Sequence, residues 1–396
     1  MCRTFFCVHL QDFYAIYRRV ALSDGSFCQI LLIKKSKLDN NEKGLNTTRK
    51  RIQMKIWFNR WFTTVSHYID MIRVNEDNRK FIIYGTHPNK DALYLQNCDY
   101  AFVEPEISGE EYISFCLEFC QKHGIDIFVP RKENILISKR LSEFEDLGVK
   151  VLVCPDAKLM ETMDNKADTY QIFSNGAANS LLPDYYVVNN IDDFKMAYRK
   201  LKEKGHTVCF KPVIGEGANG FRVIIDQIVS IEQFFNHGIG FRIPYAHACE
   251  ILGQQDTFPD LMVLEYLEGR EYSIDCLSSH EKLYAAIPRM KGDGRVRELV
   301  EQAELIKLAH DFHQEFKLPY IFNIQVKYNS HGVPKLLEVN PRMSGGMHIS
   351  CLSGINIPYQ AIKILMGEEV ELVKPRFGIR ASHIEKEMIL KYGDIS

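Results

Sequence analysis

From Met54 onward, short apolar runs alternate with amphipathic segments. Five runs of β type come first: KIWFN, KFIIY, YAFVE, IDIFVP and VKVLV (55–59, 80–84, 100–104, 125–130 and 149–153). The segment EEYISFCLEFCQKHG between them carries an apolar stripe at helical spacing, formed by Ile113, Cys116, Leu117 and Cys120. Strands that alternate with helices indicate a parallel sheet covered by helices. Residues 54–155 are therefore predicted to form a small α/β domain.

Two further regions follow this domain. Residues 156–265 begin with helices and contain the strand VCFKPV, a glycine-rich loop, the strand GFRVII and a helix over 191–201. Residues 266–396 are richer in strands: EYSIDCLS, KLYAAIPRM, YIFNIQVKY and PKLLEVN. A helix is predicted over 296–316, with Val296, Leu299, Val300, Ala303 and Ile306 on one stripe. The fold class is thus an α/β domain followed by two regions of α+β character.

Residues 1–53 have a different composition. They hold ten Lys and Arg against four Asp and Glu, and the stretch KKSKLDNNEKGLNTTRKR is low in apolar residues. We expect a poorly ordered basic extension with FCQILLIKK as a lone strand, and a folded part that begins at Met54, a candidate start codon. The alternative function for this segment is an anchor or a nucleic-acid arm.

Composition narrows the class of protein only moderately. A chain of 396 residues is long enough for two or three modules. The net charge of −2 gives no indication of a nucleic-acid or membrane partner. Eleven cysteines without CxxC pairs are expected to be reduced thiols. No apolar run approaches the roughly 20 residues that cross a bilayer, and the start does not resemble a signal peptide, so we expect a cytoplasmic protein.

The sequence Gly215-Glu216-Gly217-Ala218-Asn219-Gly220 matches the pattern G-x-G-x-x-G. A Rossmann turn requires a helix directly after the glycines, but the β-type run FRVII follows here. A phosphate-binding P-loop is excluded because no Gly-Lys-Ser/Thr ends the motif. The remaining interpretations are an ordinary glycine-rich hairpin or a flap over phosphates, with Lys211 on the preceding strand reaching the phosphate oxygens.

Polar residues alternate along the last two strands. Asn323 and Gln325 share one face of their strand, Glu338 and Asn340 share one face of the next, and HGVPK supplies a turn between the strands. A hairpin would place Gln325, Glu338 and Asn340 together as oxygen ligands of the kind that suits Mg²⁺. Arg342 follows, with a planar fork suited to a phosphoryl group. A surface ion pair at Glu338 is the structural alternative.

Several motifs occur in an order that resembles the ATP-grasp superfamily, notably its carbamoyl-phosphate-synthetase-like branch. The matching residues are Asp164-Asn165-Lys166, Phe210-Lys211-Pro212, the loop 215–220, the run LEYLEGREYSID (264–275), Asn323-Ile324-Gln325 and Glu338-Val339-Asn340-Pro341-Arg342. The resemblance covers about residues 54–370. The runs KIWFNRWFTTVSHYIDMIR and VCFKPVIGEGANGFRV also resemble the ATP-grasp subgroup encoded near bacterial tellurite-resistance genes.

The resemblance implies an ATP-grasp fold preceded by a small parallel-sheet domain, with ATP-grasp subdomains at 156–265 and 266–396. It implies that ATP is bound by Lys166, Lys211, the flap glycines Gly215, Gly217 and Gly220, the backbone around Glu265 and Leu267, and Glu271. It implies one or two Mg²⁺ ions on Gln325, Glu338 and Asn340, and catalytic roles for Lys211 and Arg342. Gln325 is a departure, because many members have an acid there.

The activity implied is an ATP-dependent ligase that activates a carboxylate as an acyl phosphate for attack by an amine or a thiol. A non-catalytic ATP-binding module and a small-molecule kinase are the alternatives. Arg289 and Lys291 are candidate substrate residues, with Arg295 nearby, although a solvated basic loop would explain them equally well. His310, His313, Cys276 and Cys351 are expected to be structural. Neither acid nor nucleophile follows from the sequence, and a homodimer is only the commonest assembly.

Overall fold

The computed structural model describes residues 7–10, 13–21, 27–35 and 53–390, except 175–179, 216, 228–230, 232–239, 372 and 385. The chain divides into two compact units, Met1–Ile52 and Gln53–Ser396. In the first unit, β1 (Cys7–Leu10), β2 (Phe13–Ala21) and β3 (Phe27–Lys35) form an antiparallel sheet. The strand predicted as lone is therefore paired with β2. Most of the polar stretch after β3, predicted to be a solvated linker, lies outside the described residues.

The second unit begins with a five-stranded sheet in which every pairing is parallel, as predicted. Its order is β6-β5-β4-β7-β8. Its strands are β4 (Met54–Asn59), β5 (Phe81–His87), β6 (Tyr100–Val103), β7 (Ile127–Val129) and β8 (Lys150–Val151). Its helices are α1 (Val65–Arg73), α2 (Gly109–His123), α3 (Asn134–Lys139) and α4 (Leu141–Asp146), with a 3-10 turn at Leu93–Asn97.

Aromatic packing holds the helices on this sheet. The fully buried ring of Trp57 stacks on Phe128 and on Phe119 of α2, with ring centroids 4.1 and 4.4 Å away. Buried aromatic side chains of this size supply much of the hydrophobic stabilisation of a small domain. The same stripe of α2 that the sequence predicts to be apolar buries Ile113, Cys116 and Cys120.

A second sheet, with the order β12-β11-β10-β13-β9, carries the glycine-rich flap. Its strands are β9 (Tyr185–Val188), β10 (Val208–Pro212), β11 (Arg222–Ile225), β12 (Arg242–Pro244) and β13 (Leu261–Glu265). Its surrounding helices are α5 (Ala157–Asp164), α6 (Lys166–Ser174), α7 (Ile191–Glu203) and α8 (Tyr245–Leu252). Because β10 and β11 pair antiparallel, the loop 215–220 is the turn of a hairpin.

A third, six-stranded antiparallel sheet has the order β18-β17-β14-β15-β16-β19. Its strands are β14 (Glu271–Ser278), β15 (Leu283–Lys291), β16 (Arg297–Leu299), β17 (Tyr320–Tyr328), β18 (Pro334–Asn340) and β19 (Ile379–Ala381). Its helices are α9 (Ala303–Phe316), α10 (Met347–Ser350) and α11 (Ile357–Leu365), with a 3-10 turn at Cys351–Ser353. Three of the strands have the bounds that the sequence predicts.

The predicted helix over 296–316 is wrong in its first third. Residues Arg297–Leu299 form β16, which pairs with β15 on one side and β19 on the other, and the helix begins only at Ala303. The β-branched Val296 and Val300 favour extended backbone, and the strands on either side supply hydrogen-bond partners for it. The apolar residues of β16 and of α9 fall on one helical stripe in the sequence. The predicted helix therefore included the strand and was too long.

The residues predicted to be structural are mostly buried. His313 of α9 lies 2.7 Å from the carbonyl oxygen of Ser279, and burial lowers the pKa of its imidazole. Cys276 and Cys351 are buried, and burial raises the pKa of both thiols. Within the described ranges, no helix combines the length and apolar character needed to cross a membrane.

Candidate functional site

The hairpin of β17 and β18 forms the floor of the site. Gln325 lies opposite Glu338 in register, next to a bulge between Gln325 and Val326. The amide nitrogens of Gln325 and Asn340 lie 2.8 and 2.9 Å from Oε1 of Glu338 and donate to it. The three side chains that were predicted to share a metal thus converge, as one carboxylate flanked by two amides.

Two lysines reach this floor from the flap-bearing region. Lys166, the first residue of α6, is buried, and its Nζ lies 2.7 Å from the carbonyl oxygen of Gly215 and 3.9 Å from Oε2 of Glu338. Lys211 of β10 donates to the carbonyl oxygen of Leu337 at 3.1 Å. The site therefore holds two ammonium groups beside one carboxylate.

The ammonium of Lys211 is held in an unfavourable environment. Burial, and to a smaller degree the neighbouring charge of Lys166, lower the pKa of Lys211 to about 8. Desolvation disfavours the charged form of an amine, and a like charge nearby has the same effect. An anion placed between the two lysines would reverse both effects, so the pair is suited to a polyanionic ligand.

The flap hairpin covers the lysines from the other side. Gly220 has φ of 72°, and a Cβ at this position would lie 2.5 Å from Cγ of Pro212. Only glycine meets both constraints, because other residues rarely adopt this backbone conformation and would collide with the proline. The motif thus keeps the flap close to β10, the strand that carries Lys211. Glu216, in the same motif, lies outside the described residues.

A cavity of about 480 Å³ lies between the flap and the hairpin floor. The predicted site residues that line it are Lys166, Lys211, Gly215, Gly217, Glu265, Leu267, Glu271, Lys291, Gln325 and Glu338. Apolar side chains complete its walls, namely Cys209, Phe221, Phe241, Leu264 and Leu267. The cavity therefore offers apolar surface, which suits a flat ring, and a charged end where Lys166 and Lys211 lie near Glu338, which suits phosphates.

Glu271 lies on the wall of this cavity at the start of β14. Its carboxylate forms an ion pair with Lys291 of the neighbouring strand. Lys291 was predicted to bind the substrate, but the structure places it in the first cavity, beside Glu271, which was predicted to bind ATP. Lys327 also lines this cavity, with its Nζ 4.7 Å from the ring centroid of Tyr266.

A second cavity, of about 270 Å³, adjoins the first. Lys166, Gly215 and Glu338 line both cavities, so the charged end of the first leads to the second. Asn340 and Arg342 line only the second. Its remaining walls come from α5 and from the loop after β7, which contains Arg131, Lys132, Glu133 and Asn134.

Arg289, the other predicted substrate residue, lines neither cavity. Its guanidinium is buried, with Nη2 3.2 Å from Oδ2 of Asp275, which has no exposed surface. The hydroxyls of Ser344 and Ser350 donate to the same carboxylate at 2.7 and 2.6 Å. A buried ion pair needs such additional hydrogen bonds to offset its desolvation. Arg289 therefore lies beneath the loop that follows Arg342, where it holds that loop in place.

The residues of the loop after β7 were not among the site residues predicted from the sequence. Arg131, Lys132 and Asn134 directly follow a buried parallel strand, and the carboxyl ends of such strands are where ligands bind in α/β sheets. This signal was present in the run IDIFVPRKEN. It was overlooked because no motif marks it. The apolar wall residues Phe221 and Phe241 carried no comparable signal.

Comparison with solved structures identifies the architecture. The biotin carboxylase domain of Hydrogenobacter thermophilus 2-oxoglutarate carboxylase, in complex with MgADP, ADP and bicarbonate, has a TM-score of 0.57 at 16% identity, over 83% of this chain and 74% of that chain. The Campylobacter jejuni biotin carboxylase–β,γ-ATP complex has a TM-score of 0.56 at 18% identity, over 80% of this chain and 72% of that chain. The N5-carboxyaminoimidazole ribonucleotide synthetase of Thermotoga maritima has a TM-score of 0.53 at 14% identity, over 83% of this chain and 79% of that chain.

The chain has an ATP-grasp fold. Residues 257–387 also match the family model described as ATP-grasp in the biosynthetic pathway with Ter operon. The predicted resemblance to the ATP-grasp superfamily, and to the subgroup encoded near tellurite-resistance genes over residues 257–387, is thereby confirmed. A comparison with curated protein sequences gives no match for this ATP-grasp chain.

Adjacent glycines after Arg342 provide a test of the buried network. A Cβ at Gly346 would lie 2.5 Å from Nη1 of Arg289, whereas a Cβ at Gly345 meets no described atom within 4 Å. Because Asp275 fixes the guanidinium, we expect Gly346→Ala to destabilise the protein by about 1–3 kcal/mol. Gly345→Ala is the matched control, with an expected change within about 0.5 kcal/mol. Thermal and urea unfolding measure both, and equal stabilities would refute the tight packing.

Proposed function

We propose that this chain is an ATP-dependent ligase, which activates a carboxylate as an acyl phosphate for attack by an amine or a thiol. The supporting observation is that Lys166, Gly215 and Glu338 belong to both cavities. A nucleotide in the first cavity, with its phosphates at this shared wall, would present its terminal phosphoryl group to a substrate in the second cavity. Such proximity is what a bimolecular phosphoryl transfer requires.

The first cavity accommodates the nucleotide in one orientation. The apolar end takes the adenine between residues such as Phe221 and Leu267, with backbone groups around Glu265 available for its edge. Glu271 takes the ribose hydroxyls, and the ammonium groups of Lys166 and Lys211 take the phosphates. ATP carries about four negative charges, so two lysines at the phosphate end offset much of its repulsion toward an acid substrate.

The residues of the floor fit Mg²⁺. Glu338 supplies a carboxylate, and rotation of the Gln325 and Asn340 amides by a half turn replaces their nitrogens with oxygens at the same place. When bound there with the triphosphate, Mg²⁺ neutralises charge on the phosphate oxygens. Because Glu338 is the single carboxylate among these three residues, the metal depends on the nucleotide for much of its anionic coordination.

The chain's own residues would act as follows. Arg342, at the end of the hairpin, binds the phosphoryl group as it passes to the acid, and Lys211 holds the phosphates in line. A carboxylate oxygen of the acid forms a bond to the γ-phosphorus while the bond to the β-phosphate oxygen of ADP breaks. The nucleophile then attacks the acyl carbon, phosphate leaves, and the amine or thiol loses its proton. ADP, phosphate and the amide or thioester are the products.

Trapping with hydroxylamine tests this proposal. The full chain is incubated with ATP, Mg²⁺, hydroxylamine and single carboxylic acids of different classes. We expect at least one acid to yield its hydroxamate, with ADP and phosphate in equal amounts. Because Glu338 is the single carboxylate of the floor, Glu338→Ala should lower the rate by about 100-fold or more, whereas Glu281→Ala, at an exposed position outside both cavities, should leave the rate unchanged.

Each other outcome has a distinct meaning. A phosphorylated product without free phosphate would identify a small-molecule kinase instead. Nucleotide binding without turnover of any acid would identify a non-catalytic module. Full activity of Glu338→Ala would contradict the assignment of the floor residues to the metal.

The pKa of Lys211 predicts how nucleotide affinity depends on pH. Since this pKa is lowered to about 8, the unliganded ammonium loses its proton as the pH rises through that value. The affinity for MgADP should therefore be highest below about pH 7 and should weaken by roughly tenfold toward pH 9. Lys211→Arg keeps its charge and should flatten this dependence. Calorimetric titration of the wild-type protein and of Lys211→Arg with MgADP at several pH values measures this dependence. If the affinity falls equally with pH in both proteins, Lys211 is not its cause.

A further inference from the structure

Three histidines from separate parts of the chain lie together, and none of them lines either cavity. His67 belongs to helix α1, His348 belongs to helix α10, and His383 follows β19. The rings of His67 and His348 are stacked, with centroids 4.4 Å apart and planes 15° from parallel. Nε2 of His348 lies 3.3 Å from Nε2 of His383. These three residues are called the histidine cluster below.

The contact between His348 and His383 ties the segment after β19 to the rest of the fold. Strand β19 ends at Ala381, and the described residues beyond it, 382–384 and 386–390, have no regular secondary structure. Among the side chains of these residues, only that of His383 makes a hydrogen bond with another described residue. Ile384, the next residue, is 94% exposed. His383 is therefore the anchor of this segment.

The proton between the two facing nitrogens has one favourable position. Nδ1 of His348 is buried and has no hydrogen-bond partner in the part of the chain that the structure describes. A proton on this nitrogen would be a buried donor without an acceptor, which costs free energy. We therefore assign the ring proton of neutral His348 to Nε2, from which it donates to the bare Nε2 of His383.

An additional proton disrupts this arrangement wherever it binds. On Nε2 of His383, it would place two N–H groups against each other with no acceptor between them. On Nδ1 of His348, it would create a charged donor at a buried position without an acceptor. If the proton of His348 moved to Nδ1, the contact would be restored, but a buried N–H would again be unsatisfied. The contact is therefore compatible with two neutral rings and not with a protonated pair.

The surroundings of His348 favour its neutral form as well. The titratable groups that face it are His67 and Tyr68 of α1, His383, Arg289 of β15 and Asp275 of β14. Burial is the largest cause that lowers the pKa of His348 to about 4; the other two histidines and Arg289 add to it, whereas Asp275 opposes it. Burial also raises the pKa of Tyr68, so its hydroxyl stays uncharged. Because an unconstrained imidazole gains its proton near pH 6.5, acid favours the form in which His348 is released from this contact.

We propose that the histidine cluster is an acid-sensitive latch. At neutral pH it holds the segment after β19 against helices α1 and α10, and protonation of the pair formed by His348 and His383 releases this segment. The latch is a regulatory device of the fold, and this inference does not depend on the ligase activity.

Methyl NMR of the full chain, labelled at the δ1 carbons of isoleucine, tests the proposal. EDTA is present, so that no metal ion can bridge the two rings. The reporter is Ile384, assigned with Ile384→Val, and the fully buried Ile324 of β17 is the internal control. Between pH 7.5 and pH 5.5 the ratio of held to released segment should fall by about tenfold. The Ile384 signal should therefore narrow and shift, while that of Ile324 stays unchanged.

Two variants identify the group responsible. His383 is exposed, so His383→Ala should fold, and it should give the released Ile384 signal at both pH values. His331→Ala is the matched control, because His331 is an exposed histidine in the turn between β17 and β18 and its loss should leave the pH response intact. Selective ¹⁵N labelling of the histidine rings should show His348 protonated at Nε2 at pH 7.5.

Three results would each overturn the latch. The first is an Ile384 signal that is the same at both pH values in the wild-type protein. The second is a pH response of Ile384 that survives in His383→Ala. The third is a ring proton of His348 on Nδ1 at pH 7.5, since the contact would then tolerate a protonated His383.

Discussion

The arrangement of the site depends on two ammonium groups that are held beside one carboxylate. Lys166 of α6 and Lys211 of β10 approach Glu338 from outside its own sheet, and each donates to a backbone carbonyl, those of Gly215 and Leu337 respectively. Carbonyl dipoles and one carboxylate offset the cost of this arrangement only in part, because burial, and to a smaller degree the charge of Lys166, still lower the pKa of Lys211. The flap, the hairpin floor and the two cavities are all arranged around this excess of positive charge.

The floor, the flap and the loop after β7 are held in place in different ways. The floor belongs to a continuous antiparallel sheet whose register places Gln325 against Glu338, so its side chains are positioned by backbone hydrogen bonds. The flap is attached by a two-stranded hairpin and depends on Gly220 to remain close to β10. The loop after β7 comes from the first sheet and is tied to β4 through Asn59. Three sheets thus each supply one wall, which explains why no single segment of the chain contains the site.

Much of the fold follows from periodicity in the sequence. Runs such as YIFNIQVKY and PKLLEVN alternate polar and apolar residues, and both strands have the bounds that this pattern predicts. The error at 296–302 arose because a short apolar segment fits both the helical and the strand period, and only sheet pairing decides between them. The site residues on strands were predictable because alternation shows which side chains share a face. The burial of Arg289 could not be predicted, because its partner Asp275 lies on another strand. The sequence of a single strand does not show its register with a neighbouring strand.

The buried hydroxyl of Tyr68 bears on how such a molecule can move. It donates to the carbonyl oxygen of Ser344, so helix α1 of the first sheet is fastened to the loop that follows Arg342. A hinge between the first and third sheets would have to break this bond between two buried groups, which costs free energy. Those two sheets therefore behave as a single frame. We therefore expect any hinge motion in this part of the chain to involve the sheet that bears the flap.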